Sequence, residues 1–113
     1  MNHKMNLYAR PFAMIACGQK TIELRLNDEK RSKISVGDKI EFENSASGEK
    51  LLCVVVMLYR YNSFSELYKE LPLLKCGYTS DDVATAKPED MNLYYSPERQ
   101  KQYGVLGIEI KLV

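Results

Sequence analysis

A chain of 113 residues with 45% apolar content can bury a single hydrophobic core, and its formal charge of +1 supplies no global field to draw it onto nucleic acid or a membrane. Any bound anion must therefore be held by a local cluster. Cys17, Cys53 and Cys76 are far apart, odd in number and without a Cys-x-x-Cys pair, and the lone histidine is His3. These features argue against a disulfide framework, a zinc site and Ser-His or Cys-His catalysis, so reduced thiols and no metal or cofactor are expected. His3 is expected to lie in a loose terminus. No signal-like or membrane-length apolar run occurs, and the expected location is the cytoplasm.

In chain order, residues 6–9 form a short strand candidate, and Pro11 opens a brief helix to Cys17, with Phe12 and Ile15 inward and Gly18 as its stop. Thr21 to Leu26 alternates as a strand with one buried face. Ile22, Leu24 and Leu26 point inward, while Thr21, Glu23 and Arg25 point the other way. The polar stretch 27–35 is a surface loop whose Lys30-Arg31-x-Lys33 run reads as a solvated face. A turn at Val36–Asp38 leads into a strand from Lys39 to Glu43, and a loop over Asn44–Lys50 makes a hairpin.

The most apolar run, Leu51 to Tyr61, reads as a central strand covered on both sides, with Val54 and Val56 buried. Ser63 and Glu66 form a capping box for a helix ending before Pro72. Thr79 or Ser80 caps a helical stretch from about Asp81 towards Asn92, interrupted by Pro88, and Ser96-Pro97-Glu98 starts another turn. Gly104 to Val113 closes the chain as a strand. Phe12, Phe42, Phe64, Val105 and Ile108 are further expected core residues. The order of elements predicts one α+β domain over residues 1–113: a small barrel of about five or six mostly antiparallel strands with short helices in the connections.

Lys20 stands where the first helix gives way to the strand. It is expected to project over the barrel rim, with Glu23 lying between it and Arg25. A lysine, a carboxylate and an arginine so spaced can hold a nucleobase edge, a phosphate or a developing oxyanion, or can form a purely structural ion pair. The eight tyrosines, against no tryptophan, include Tyr94-Tyr95, Tyr103 and Tyr8. Most should be core, with Tyr95 a ligand-contact candidate.

Gly18-x-Lys20-x-x-Glu23-x-Arg25, the Gly37-Asp38 turn with Ile40 and Phe42, and Tyr103-Gly104-Val105-x-x-Ile108 together resemble the ASCH domain, a family of the PUA-like superfamily of small β-barrels. The resemblance implies a cleft beside the Gly-x-Lys segment and binding of a nucleotide, a modified nucleoside or RNA by Lys20, Glu23, Arg25 and Tyr95. A bacterial branch of small amidohydrolases removes the acetyl group of acetylcytidine with a lysine, a threonine three residues later and a distant glutamate. Lys20 matches that lysine, and Glu23 occupies the threonine position. Thr21 supplies a hydroxyl two residues earlier, and Glu70 is the nearest counterpart of the distant glutamate. Metal-independent hydrolysis by Lys20, Glu23 and Thr21 is the alternative to binding, and a non-catalytic partner-binding domain is a third reading.

Overall fold

The computed structural model describes residues 1–113. Five strands form one mixed sheet: β1 (Asn2–Leu7), β2 (Ile22–Leu26), β3 (Lys39–Asn44), β4 (Lys50–Tyr61) and β5 (Val105–Leu112), in spatial order β1-β3-β4-β5-β2. Three pairings are antiparallel, as expected, but β1 runs parallel to β3, from Asn2 opposite Lys39 to Leu7 opposite Asn44. A parallel neighbour needs a long crossover. Here α1 (Ala9–Ala16), β2 and the following loop provide it. The sheet curls into a half-barrel of the small α+β type, with β1 and β2 as its two unpaired edges.

The first strand begins earlier than the sequence suggests, because residues 2–5 pair with β3 whatever their own pattern. This also corrects the expectation for His3. Its side chain is mostly buried, with Nε2 2.8 Å from Asp38 Oδ2. Helix α1 starts at Ala9, two residues before Pro11, and buries Phe12, Met14 and Ile15. Helix α2 (Phe64–Glu70) is capped by Ser63, whose Oγ accepts from Glu66 N at 3.2 Å. The Glu66 carboxylate accepts from Asn62 N rather than from the cap residue. Helix α3 (Pro97–Tyr103) is capped in the same way by Ser96. The stretch expected as a broken helix from Asp81 to Asn92 is two 3-10 turns, Val83–Thr85 and Pro88–Leu93. Lys87 before Pro88 is extended, as the residue preceding a proline prefers to be.

Two apolar clusters hold the sheet. Twelve buried residues, eleven from β1, α1, β3, β4 and β5 and Ile34 from the loop before β3, fill the inside of the curl; Phe12, Phe42, Cys53, Val55 and Ile108 are among them. Nine more, including Ile22, Leu24, Leu26, Phe64, Leu67 and Val105, form a second core under α2. Strand β4 departs from expectation by one residue of register. Cys53 and Val55 are buried, whereas Val54 is half-buried and Val56 is exposed. One face of the first half of β4 thus meets solvent, and a register shift between Val55 and Met57 interrupts its pairing with β5. Strands β2 and β5 are instead the doubly covered pair. The face of β2 opposite Ile22 and Leu24 is covered at Glu23, which is 3% exposed.

Candidate functional site

The unpaired seam between β1 and β2 contains the larger cavity, about 670 Å³, within the range of small-molecule sites. Its floor is built from β2 and the residues leading into it. Lys20 is set by its backbone N–H, which donates to Met14 O at the end of α1 at 3.0 Å. Glu23 and Arg25 are fixed by β5, opposite Ile108 and Leu106. Lys20 Nζ lies 2.7 Å from Glu23 Oε1, and Arg25 Nε donates to Glu23 Oε2 at 2.8 Å. Arg25 Nη2 reaches across the seam and donates to Asn6 O of β1 at 2.9 Å. One carboxylate thus holds two cations, and one of the cations ties the two sheet edges together.

Lys20 is not a rim residue, contrary to expectation. It is 8% exposed, and Gly77 of the overlying segment sits against it. A Cβ at Gly77 would stand 3.5 Å from Lys20 Cδ and 3.6 Å from Nζ, and the backbone there has φ +110°, a conformation that suits glycine. Burial on its own would raise the Glu23 carboxyl. The Lys20 ammonium and Arg25 guanidinium outweigh it and hold the group at about 2. Burial likewise pulls the Arg25 guanidinium down, and the Glu23 carboxylate reverses this to a net rise.

The walls come from the irregular segment after α2. Tyr78 OH donates to Asp90 Oδ2 at 2.7 Å, and Tyr68 OH lies 2.7 Å from Tyr78 OH. Because the Tyr78 proton is committed to Asp90, Tyr68 is the donor to Tyr78. Burial raises both phenols, Tyr68 to about 12 and Tyr78 further, so both stay protonated as the chain requires. Tyr95 lines the cavity and stacks on Phe64, with centroids 6.3 Å apart and planes 18° apart. At the mouth, Tyr8 and Tyr94 approach to 6.3 Å, and Arg10 Nη2 lies 3.7 Å from Asp82 Oδ2.

Lys20, Glu23, Arg25 and Tyr95 therefore converge on one concave site. Thr21 does not line it. The Thr21 backbone is tied to Lys75 O and to Ile110 N, bridging the 72–77 segment and β5. Glu70 is exposed at the end of α2 and also lies outside the cavity. The further carboxylates brought to the site are Asp82 and Asp90, which the sequence reading missed together with Tyr68 and Tyr78. For Tyr78, Asp82 and Asp90 the only signal is a tyrosine- and aspartate-bearing stretch from Tyr78 to Tyr95, and Tyr68 lies on α2 with none. The Lys30-Arg31-x-Lys33 run stays away from the cavity, and Arg31 pairs with Asp28 at 3.2 Å. No group of three or more His, Cys, Asp or Glu residues is arranged to hold a metal ion. No helix is long and apolar enough to cross a membrane.

The family model of the ASCH domain matches residues 5–113, nearly the whole chain. The chain belongs to the ASCH domain family. Solved structures share its fold, two of them at 34% identity. The crystal structure of hypothetical protein PH0355 superposes with a TM-score of 0.83 at 34% identity, covering 100% of both chains. The solution structure of protein PF0455 from Pyrococcus furiosus does so with a TM-score of 0.73 at 34% identity, over 100% of this chain and 98% of that one. No curated protein matches. The curled sheet of this ASCH domain is accordingly of the PUA-like type, and Lys20 lines its cavity.

Proposed function

We propose that this ASCH domain binds a nucleotide, free or within an RNA, with the base in the cavity against Lys20, Glu23 and Arg25. The observation that carries this reading is the charge balance of the cavity as a whole. Glu23 answers both cations at 2.7 and 2.8 Å, leaving fixed donors and acceptors with a single residual positive charge on the floor. Around the whole cavity, Arg10, Lys20 and Arg25 balance Glu23, Asp82 and Asp90. Such a site suits the edge of an uncharged heterocycle, which takes hydrogen bonds from the remaining Lys20 donors, while tyrosine faces stack against it. A cavity built for phosphate would carry excess positive charge.

Deacetylation of an acylated nucleoside is less well supported. The threonine position holds Glu23, which is occupied by two cations. A carboxylate held at about 2 is a weak proton acceptor for activating water at neutral pH. Thermal unfolding with each nucleoside monophosphate, alongside an assay for acetate release from acetylcytidine, tests the proposal. The expected result is thermal protection by at least one nucleotide, abolished in Lys20→Met, with no acetate released. Steady, Lys20-dependent acetate release would overturn binding in favour of hydrolysis. Indifference in both assays would leave the partner-binding reading.

A further inference from the structure

We infer that the ligand is a single-stranded oligonucleotide, with one base in the cavity and the neighbouring base stacked on Tyr8 and Tyr94 outside it; this rests on the base-binding reading above. The tyrosines divide sharply. Tyr59, Tyr61, Tyr68, Tyr95 and Tyr103 pack against the second core, and Tyr78 is held by Tyr68 and Asp90. Tyr8 and Tyr94 do neither. They are 67% and 57% exposed, and their rings approach each other at the mouth of the cavity, tilted by 41°. Leu93 beside them is 85% exposed. Single exposed apolar residues are ordinary, but two facing aromatic rings at the lip of a base-sized cavity form a stacking platform.

Charge points the same way. Both floor cations are paired with Glu23, and the three cations lining the cavity are matched by three carboxylates, so a backbone phosphate meets no excess positive charge inside. Arg10, two residues after Tyr8 and the second residue of α1, has a side chain 68% exposed and makes only a long bridge to Asp82. It is the cation available at the lip for a linking phosphate. Base inside, phosphate at Arg10 and next base on the tyrosine pair is the path of a strand, and a free nucleoside would leave the outer half of this surface unused.

The test is the ratio of affinities for a trinucleotide and for the matching nucleoside monophosphate, measured by fluorescence anisotropy or calorimetry for each of the four RNA bases. Base–aromatic stacking predicts a trinucleotide advantage of roughly 5- to 150-fold. Tyr8→Ala combined with Tyr94→Ala should collapse that ratio towards 1, and Tyr8→Phe should retain it. Arg10→Gln should lower the salt-dependence slope of trinucleotide binding by about 1. Tyr8 precedes α1 without a side-chain cap bond, so its ring can be removed without undoing the helix. Equal affinities for trinucleotide and monophosphate, or a double alanine variant that weakens both in proportion, would overturn the strand inference while leaving base binding intact. Failure of both ligands to bind would overturn the two together.

Discussion

Replacing Glu23 with glutamine keeps the shape of the side chain and removes the one negative charge between two largely buried cations. Lys20 and Arg25 have side chains only 10% and 13% exposed, so neither can turn to water without opening the cavity floor. Removing one partner from a buried ion pair costs about 3–5 kcal/mol, because the charge left behind is uncompensated. The depressed Glu23 carboxyl gives a second figure. The Glu23 carboxyl falls from an ordinary 4.5 to about 2 on folding. Because the folded value is depressed, the stabilisation is fully present above pH 4.5 and is lost as the pH falls from there through about 2. The size of the fall corresponds to about 3 kcal/mol. At about 2 cal/mol/K of unfolding entropy per residue, a loss of 3–5 kcal/mol over this chain lowers Tm by roughly 13–21 °C. Calorimetry of Glu23→Gln at pH 7 measures this directly, and a pH series should show the variant losing much of the wild-type acid destabilisation between pH 4.5 and 2. Lys20→Met, which leaves the Glu23–Arg25 pair in place, should cost less than Glu23→Gln, and the double variant should be better than additive. A Tm within a few degrees of wild type, with an unchanged acid limb, would show that the triad is solvated and refute the reasoning.

Three other outcomes follow from the same geometry. Gly104 ends α3 at φ +73°, and a Cβ there would stand 2.9 Å from Tyr61 O, so Gly104→Ala should destabilise by about 1–3 kcal/mol in denaturant unfolding; a neutral result would mean that the α3–β5 junction is free to move. Cys53 and Cys76 are buried, and burial raises each thiol to about 11, whereas Cys17 is exposed. A thiol reagent at pH 8 should therefore modify one cysteine rapidly and the other two only after unfolding, and fast modification of Cys53 or Cys76 would contradict the packing of the first core or of the cavity wall respectively. Tyr95→Phe should keep the stack on Phe64 and stay within about 1 kcal/mol of wild type, whereas Tyr95→Ala should lose several-fold more in thermal stability; equal losses would remove the stack as its anchor.

Strand β2 was legible because its alternation is clean, and the helix caps at Ser63 and Ser96 were legible because capping is local chemistry. The face of β4 was not. In LLCVVVMLYRY every position is apolar until Tyr59, so nothing in the pattern distinguishes Cys53 and Val55 from Val54 and Val56. Pairing decides it, with Ile40 opposite Cys53 and Ile110 opposite Val55. The pairing of Glu23 with Arg25 could be read from alternation along one strand, with Lys20 at the turn that leads into it. Their burial could not, because it depends on a covering segment around Gly77 that belongs to no periodic element. For the same reason the acidic and aromatic walls escaped notice, since Tyr78, Asp82 and Asp90 lie on 3-10 turns and the bends between them.

Strand β2 has one partner in the sheet, β5, and β5 is the last strand of the chain. During synthesis from the N-terminus, residues 22–26 therefore emerge roughly eighty residues before anything exists for them to pair with. At about 5–20 residues per second, that is a wait of roughly 4–16 s on the ribosome. Over that interval β1, β3 and β4 can already zip together while Lys20, Glu23 and Arg25 remain hydrated and apart. The floor of the cavity is thus among the last parts of the domain to assemble, and a nascent or C-terminally clipped chain can hold most of its sheet and still lack that floor.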